Sequence, residues 1–212
     1  MLAASLLAGL AYPLAHGCAD RGLPPFGSVI AKGLGVGLLA LAATLLKSPQ
    51  RWWLAAIMVA GALGDMLLDS QGLFLVGAGV FAFGHCIAMA YYGLNARSDV
   101  AIGARLAAAA LVGWGLAMPG LVSPAGTPVG ALMLYSVLLC GMAAALLLSQ
   151  FSRVALAGAL LFVLSDTLLI MRLGGRLLGG EVVHGLLIWF TYYVGQALIF
   201  VGVARSLTQT RR

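Results

Sequence analysis

Asp65 and Asp166 are the residues on which acid–base chemistry in this chain would rest. Each stands in a run of apolar residues, Leu63-Gly64-Asp65-Met66-Leu67-Leu68 and Leu164-Ser165-Asp166-Thr167-Leu168-Leu169, and the two strings lie 101 residues apart in near-identical settings. A carboxylate in hydrocarbon costs several kcal/mol unless it is paired, protonated or open to a wet cavity, so it is a functional candidate by default. Two carboxyls in one site can divide the work: a protonated one delivers a proton, and an ionised one steadies a cation or takes a proton from water. Other polar residues inside apolar stretches include Lys32, His85, Tyr135, Tyr192 and Gln196. No Gly-x-Ser-x-Gly, His-Glu-x-x-His or Ser-His-Asp pattern accompanies them. The three histidines, His16, His85 and His184, have no metal-type spacing, so neither a metal nor another cofactor is expected.

The elements that must hold these residues are set by composition. Of 212 residues 62% are hydrophobic and 8% charged, with a mean hydropathy of +1.06, which excludes a soluble globular domain. About 20 apolar residues cross a bilayer. Breaks at Pro, Gly and charge clusters predict eight spans: 1–19, 26–47, 52–69, 73–92, 102–122, 128–149, 153–172 and 182–204. The expected fold is therefore all-α, a polytopic bundle of eight transmembrane helices forming one integral membrane domain over 1–212. The 29 glycines suit close helix packing in lipid. The first run lacks a basic n-region and reads as a retained helix. Cys18, Cys86 and Cys140 read as small buried hydrophobes.

The net charge of +6 does not point to nucleic acid, because the basic residues sit between the apolar runs. Lys47, Arg51, Arg97, Arg105, Arg153, Arg205, Arg211 and Arg212 fall on one side, and Arg21, Arg172 and Arg176 on the other. The positive-inside rule then predicts N-in and C-in in a bacterial plasma (inner) membrane. Short loops, among them Arg21 to Pro25 and Ser123 to Thr127, make successive helices antiparallel neighbours. The matching acids on spans three and seven, each followed by a span with paired tyrosines, suggest that helices 1–4 and 5–8 are diverged parallel copies.

At 1.5 Å of rise per residue, Lys32, Asp65, Asp166, Tyr135, His85 and Tyr192 converge on a layer roughly 7–18 Å below the outer face, which predicts one polar pocket opening toward the outer leaflet. Tyr192 and Gln196 share a face at i and i+4. Each residue has a plainer reading. Asp65 could be neutralised by Lys32 in a structural ion pair, Asp166 could bond a neighbouring backbone, and His85 could be a satisfied core histidine. Asp69, close to a loop, reads as solvated, and Tyr91 and Tyr92 as interfacial anchors.

In these residues the chain resembles the YhhN family of membrane proteins, which includes the mammalian transmembrane lysoplasmalogenases. The resemblance runs through Lys32, Gly64-Asp65-x-x-Leu68, and Phe74-Leu75-x-Gly77-x-x-x-Phe81-x-x-x-His85. It continues through Tyr135, Ser165-Asp166-x-Leu168-Leu169, and Thr191-Tyr192-Tyr193-x-x-Gln196-x-Leu198-Ile199. Gly33 stands where the family usually has proline, and Tyr91 or Tyr92 must serve for the family's tyrosine near the inner end of the His85 helix.

The resemblance implies hydrolysis of the vinyl ether of a single-chain ether lysophospholipid, a lysoplasmalogen with a choline or ethanolamine headgroup, to a fatty aldehyde and a glycerophospho-base. It implies Asp65 and Asp166 as the catalytic pair and Lys32 against the phosphate or beside Asp65. His85, Tyr135, Tyr192 and Gln196 would position water and glycerol oxygens. The competing reading is a proton-coupled lipid or small-molecule transporter, since intramembrane acids and a repeat also describe a carrier.

Overall fold

The computed structural model describes residues 1–19, 25–124 and 129–209, and their side chains except at 15–19, 25–28 and 209. Eight α-helices account for most of the described residues: α1 (Leu2–Ala19), α2 (Pro25–Thr44), α3 (Arg51–Leu68), α4 (Phe74–Leu94), α5 (Ile102–Val122), α6 (Gly130–Leu148), α7 (Arg153–Leu173) and α8 (Gly180–Gln209). Six of them, α3 to α8, are long and apolar enough to cross a membrane. Shorter apolar stretches run over Leu2–Leu14 of α1 and Val29–Thr44 of α2.

The expected spans fall on these helices with small shifts. α2 stops at Thr44, whose hydroxyl folds back onto the Leu41 carbonyl at 2.7 Å, and turns follow to Gln50. α8 runs on to Gln209, beyond the last apolar stretch, because nothing in Arg205–Gln209 breaks a helix. Residues 20–24 and 125–128, and with them Arg21, most of the first loop and part of the Ser123–Thr127 loop, lie outside the described residues, as do Arg211 and Arg212.

The chain falls into two compact units, residues 1–87 with 203–212, and residues 88–202. In the first, α1 packs on α2 and α2 on α3. The α3–α4 contact is built on glycine. A methyl group at Gly77 would stand 2.7 Å from the Leu68 nitrogen, one at Gly64 2.5 Å from the Phe81 ring, and one at Gly84 2.9 Å from Ala60 Cβ. Pairing 77 with 68, 81 with 64 and 84 with 60 gives an antiparallel register in which the small residues let the backbones approach. Gly33 makes the corresponding approach of α2 to α3, since a side chain there would meet Met66 at 2.5 Å. Its lack of a Cβ therefore has a local packing reason.

In the second unit α5, α6 and α7 pack in sequence, and α8 lies along α7. Gly158 and Gly195 face each other across the α7–α8 contact, each so close that a side chain would strike the other's carbonyl oxygen. Gly202 meets Ala155 two turns further along. Gly115 packs on the Ser136 carbonyl of α6. The loops after α4 and α6 are stapled to each other: Arg97 N–H donates to the Leu148 carbonyl at 3.0 Å and Gln150 N–H to the Asn95 carbonyl at 2.9 Å, around an Ala96–Ser149 bridge. These two loops therefore share one end of the unit, as antiparallel neighbours require.

Candidate functional site

Asp166 stands on α7. It is 6% exposed, and the Tyr135 hydroxyl on α6 donates to its Oδ2 at 2.6 Å. Its neighbours on α7 are tied in other directions. The Ser165 hydroxyl donates to the Ile188 carbonyl of α8 at 2.9 Å, and Trp114 Nε1 of α5 donates to Thr167 Oγ1 at 3.2 Å. Three successive residues thus bond to three different helices. Such anchoring fixes both the rotation and the height of α7 at the carboxylate, the kind of support a preorganised site requires. The plain reading of Asp166 as bonded to a neighbouring backbone does not hold: Ser165 makes the bond to the backbone, and the carboxylate receives the phenol.

Tyr192 and Gln196, predicted to share a face of α8, do so, and the Gln196 amide donates to the Tyr192 hydroxyl at 3.4 Å. Both are buried. The Tyr192 ring packs edge-on against Phe162 at 5.1 Å and tilted against Trp189 at 5.7 Å, so its hydroxyl is held in a defined position.

In the first unit Asp65 is 2% exposed, on the stretch of α3 where Gly64 receives the Phe81 ring. His85, one turn beyond Phe81 on α4, is buried, with its ring roughly parallel to that of Phe81 at 6.4 Å. The structural pairing considered for Asp65 is made by a different acid. Lys32 Nζ lies 2.9 Å from Asp69 Oδ1, and the Tyr12 hydroxyl of α1 donates to Asp69 Oδ2 at 3.2 Å. The ammonium also lies 5.9 Å from the Tyr12 ring centre. Asp69 is therefore not solvated as expected. It ends α3 one turn beyond Asp65, with its N–H on the Asp65 carbonyl, and its side chain is only 19% exposed.

Asp69 and Tyr12 are the residues that reading the sequence missed. The available signal was the i, i+4 spacing of Asp65 and Asp69, which puts both acids on one stripe of a helix. A second was Lys32, a lone cation in an apolar helix that needs a partner.

Two further expectations are corrected. Tyr91 and Tyr92 are not interfacial anchors: they are 1% and 0% exposed and pack against Phe151 at 5.1 and 5.5 Å. Cys86 is exposed, whereas Cys140 is buried as expected. His184 is a structural histidine. Leu178 N–H donates to its Nδ1 at 3.0 Å, which leaves Nε2 to carry the hydrogen directed at the Leu168 carbonyl, 2.8 Å away. With both nitrogens engaged it has no lone pair to offer a metal. The His16 side chain lies outside the described residues, and no group of three metal-binding side chains occurs among those described.

The family model of the YhhN family matches residues 27–203, most of the chain. The chain belongs to the YhhN family. No curated protein and no solved structure matches it. The matched span contains Lys32, Asp65, Asp69, His85, Tyr135, Asp166, Tyr192 and Gln196. Tyr12 precedes it, so the phenol that completes the Lys32–Asp69 cluster comes from outside the family segment.

Proposed function

We propose that this YhhN-family protein is a membrane-embedded hydrolase that cleaves the vinyl ether of lysoplasmalogens, releasing a fatty aldehyde and a glycerophospho-base. The observation that carries the reading is the burial of Asp65 and Asp166 inside apolar helices of a chain that belongs to this family. A vinyl ether is cleaved by protonating its β-carbon. The electrons of the double bond form the new C–H bond, leaving an oxocarbenium ion at the carbon that bears oxygen. Water adds to that carbon and gives up a proton, and the hemiacetal collapses to aldehyde and glycerol hydroxyl. One aspartic acid supplies the first proton, and the other, as carboxylate, steadies the cation and takes the proton from water. Lys32, His85, Tyr135, Tyr192 and Gln196 bind the phosphate, the water and the glycerol oxygens.

All eight helices crossing the bilayer, N-in and C-in, with the acids toward the outer leaflet and the two halves related as parallel copies, belong to the same proposal. A single-chain lipid then reaches the acids laterally, without leaving the membrane.

The test is aldehyde release from lysoplasmenylcholine by purified protein in detergent, beside Asp65→Asn and Asp166→Asn. The expected result is activity in the wild type and its loss in both folded variants. No aldehyde from folded wild type would move the reading to another lipid bond or to proton-coupled transport.

A further inference from the structure

A cavity of about 410 Å³ lies within the second unit, lined by Ala107, Ala110 and Trp114 on α5, Leu156 and Leu160 on α7, and Leu147 on α6. Both α5 and α7 pack on α6, so the cavity is a trough with α6 as its floor. Every side chain that lines it is alanine, leucine or tryptophan. At one end the Trp114 indole crosses from wall to wall and donates to Thr167 Oγ1 at 3.2 Å. Thr167 follows Asp166 in the chain, so this crossbar stands at the level of the carboxyl. From there the trough runs toward the stapled loops, down the stripe of α7 that carries Leu160 and Leu156.

Volume and length point to one occupant. An apolar concavity of this size, with its polar groups at one end, has the form of a ligand site. A methylene takes up slightly less than the ~30 Å³ of a water in the liquid, so about a dozen methylenes would fill the trough. Thr167 and Leu156 are eleven residues apart, about 16 Å along α7, which is close to the length of such a chain when extended.

We propose that the trough between α5 and α7 holds the hydrocarbon chain of the lysolipid, and that Ala107 and Ala110 set the chain length it accepts. The proposal rests on the lysolipid reading above and adds a length preference to it. With the vinyl ether carbons level with Asp166, the rest of the chain lies beyond Trp114. The surrounding lipid is as apolar as the trough, so the preference comes from fit and not from hydrophobic transfer. A short chain leaves the far end without its contacts, and an overlong one must turn out past Ala107 and lose them.

The test is equilibrium competition for the purified full chain in a non-ionic detergent, with the competitors at equal mole fraction in the micelles. The probes are 1-O-alkyl lysophosphatidylcholines from decyl to eicosyl, which lack the vinyl ether and so report binding without turnover. Wild type should favour tetradecyl and hexadecyl chains over decyl and eicosyl by about threefold or more. Ala107→Phe and Ala110→Phe should each move the optimum to shorter chains. Ala110→Phe should move it further, because Ala110 stands about 4.5 Å nearer Trp114 along α5. Leu156→Ala opens the far end and should move the optimum to longer chains. Gly113→Leu, on the same helix but outside the trough, should leave the profile as it is.

A flat profile in wild type, or an unmoved optimum in folded Ala110→Phe, would overturn the proposal. If Ala110→Phe does not fold, an unmoved optimum in Leu156→Ala would do the same. An unmoved optimum together with a dimer that Ala110→Phe dissociates would assign the trough to a second copy of the chain. Wild type that releases aldehyde from lysoplasmalogen yet shows a flat profile overturns the trough alone. Folded wild type that binds no chain length and releases no aldehyde overturns the trough and the lysolipid reading together.

Discussion

The Tyr135 hydroxyl donates to Asp166 Oδ2 at 2.6 Å, from the second helix of the chain's second half to the third. In the first half the second helix again supplies the partner for an acid of the third, Lys32 to Asp69. A phenol can donate to a carboxylate or accept from a carboxylic acid, whereas an ammonium can only donate and so favours the ionised form. The two halves thus give Asp166 a phenol partner and Asp69 an ammonium partner.

Tyr135→Phe removes that donor while keeping the ring. A hydrogen bond to a charged group is worth about 1.5–3 kcal/mol, so kcat/KM for aldehyde release should fall roughly 10- to 100-fold. Asp166→Asn should lose far more, and adding Tyr135→Phe to it should cost little further. An unchanged kcat/KM in folded Tyr135→Phe would separate the tyrosine from the chemistry.

Glycine packing predicts a contrast in stability. A methyl group at Gly158 would stand 2.5 Å from the Gly195 carbonyl oxygen, and backbone cannot swing aside as a side chain can. Gly158→Ala should destabilise the protein by about 1–3 kcal/mol. At Gly113, on an exposed face of α5, nothing lies within 4 Å. Gly113→Ala should be neutral or stabilising by up to about 1 kcal/mol through helix propensity. Thermal unfolding of both variants in one detergent checks the pair, and equal melting temperatures would refute the close α7–α8 contact.

The helices were legible because the solvent imposes them: in hydrocarbon every backbone group must bond within its own segment, so apolar length between breaks becomes helix. The two aspartates were legible for the same reason. What periodicity and depth could not supply is rotation, the direction each side chain takes around its helix. Lys32 is near Asp65 in depth, yet its ammonium goes to Asp69, because Asp69 sits one turn further along the same stripe. Tyr91 and Tyr92 looked interfacial because they are phenols near a helix end. Their burial follows from Phe151, a residue of the loop between α6 and α7 that no local pattern connects to them. The role of His184 was hidden in the same way, since its partners are backbone atoms of Leu178 and Leu168.

His184 carries its own prediction. It holds the turn before α8, where Gly175, Gly179 and Gly180 adopt positive φ, onto the end of α7. His184→Ala takes the acceptor from the part-buried Leu178 N–H and a donor from the buried Leu168 carbonyl, which should cost about 1–3 kcal/mol. The melting temperature should drop accordingly, and a zinc chelator should leave that of the wild type unchanged. A chelator-sensitive wild type would make His184 a candidate metal ligand.

The membrane orientation is open to a direct test with residues at opposite ends of the second unit. Ser123 ends α5, while Gln150 lies in the loop stapled to Asn95 and Ala96 at the other end. With the native cysteines replaced, Ser123→Cys in intact cells should react with an impermeant thiol reagent, and Gln150→Cys should react only after lysis. This follows from the charge bias, because Arg97, Arg105 and Arg153 all lie at the Gln150 end. The reverse pattern would turn the protein over and put the acids toward the inner leaflet. Labelling of both positions from outside would mean that the helices between them do not alternate across the bilayer, which would undo the depth alignment of Tyr135 and Asp166 with the rest of the polar set.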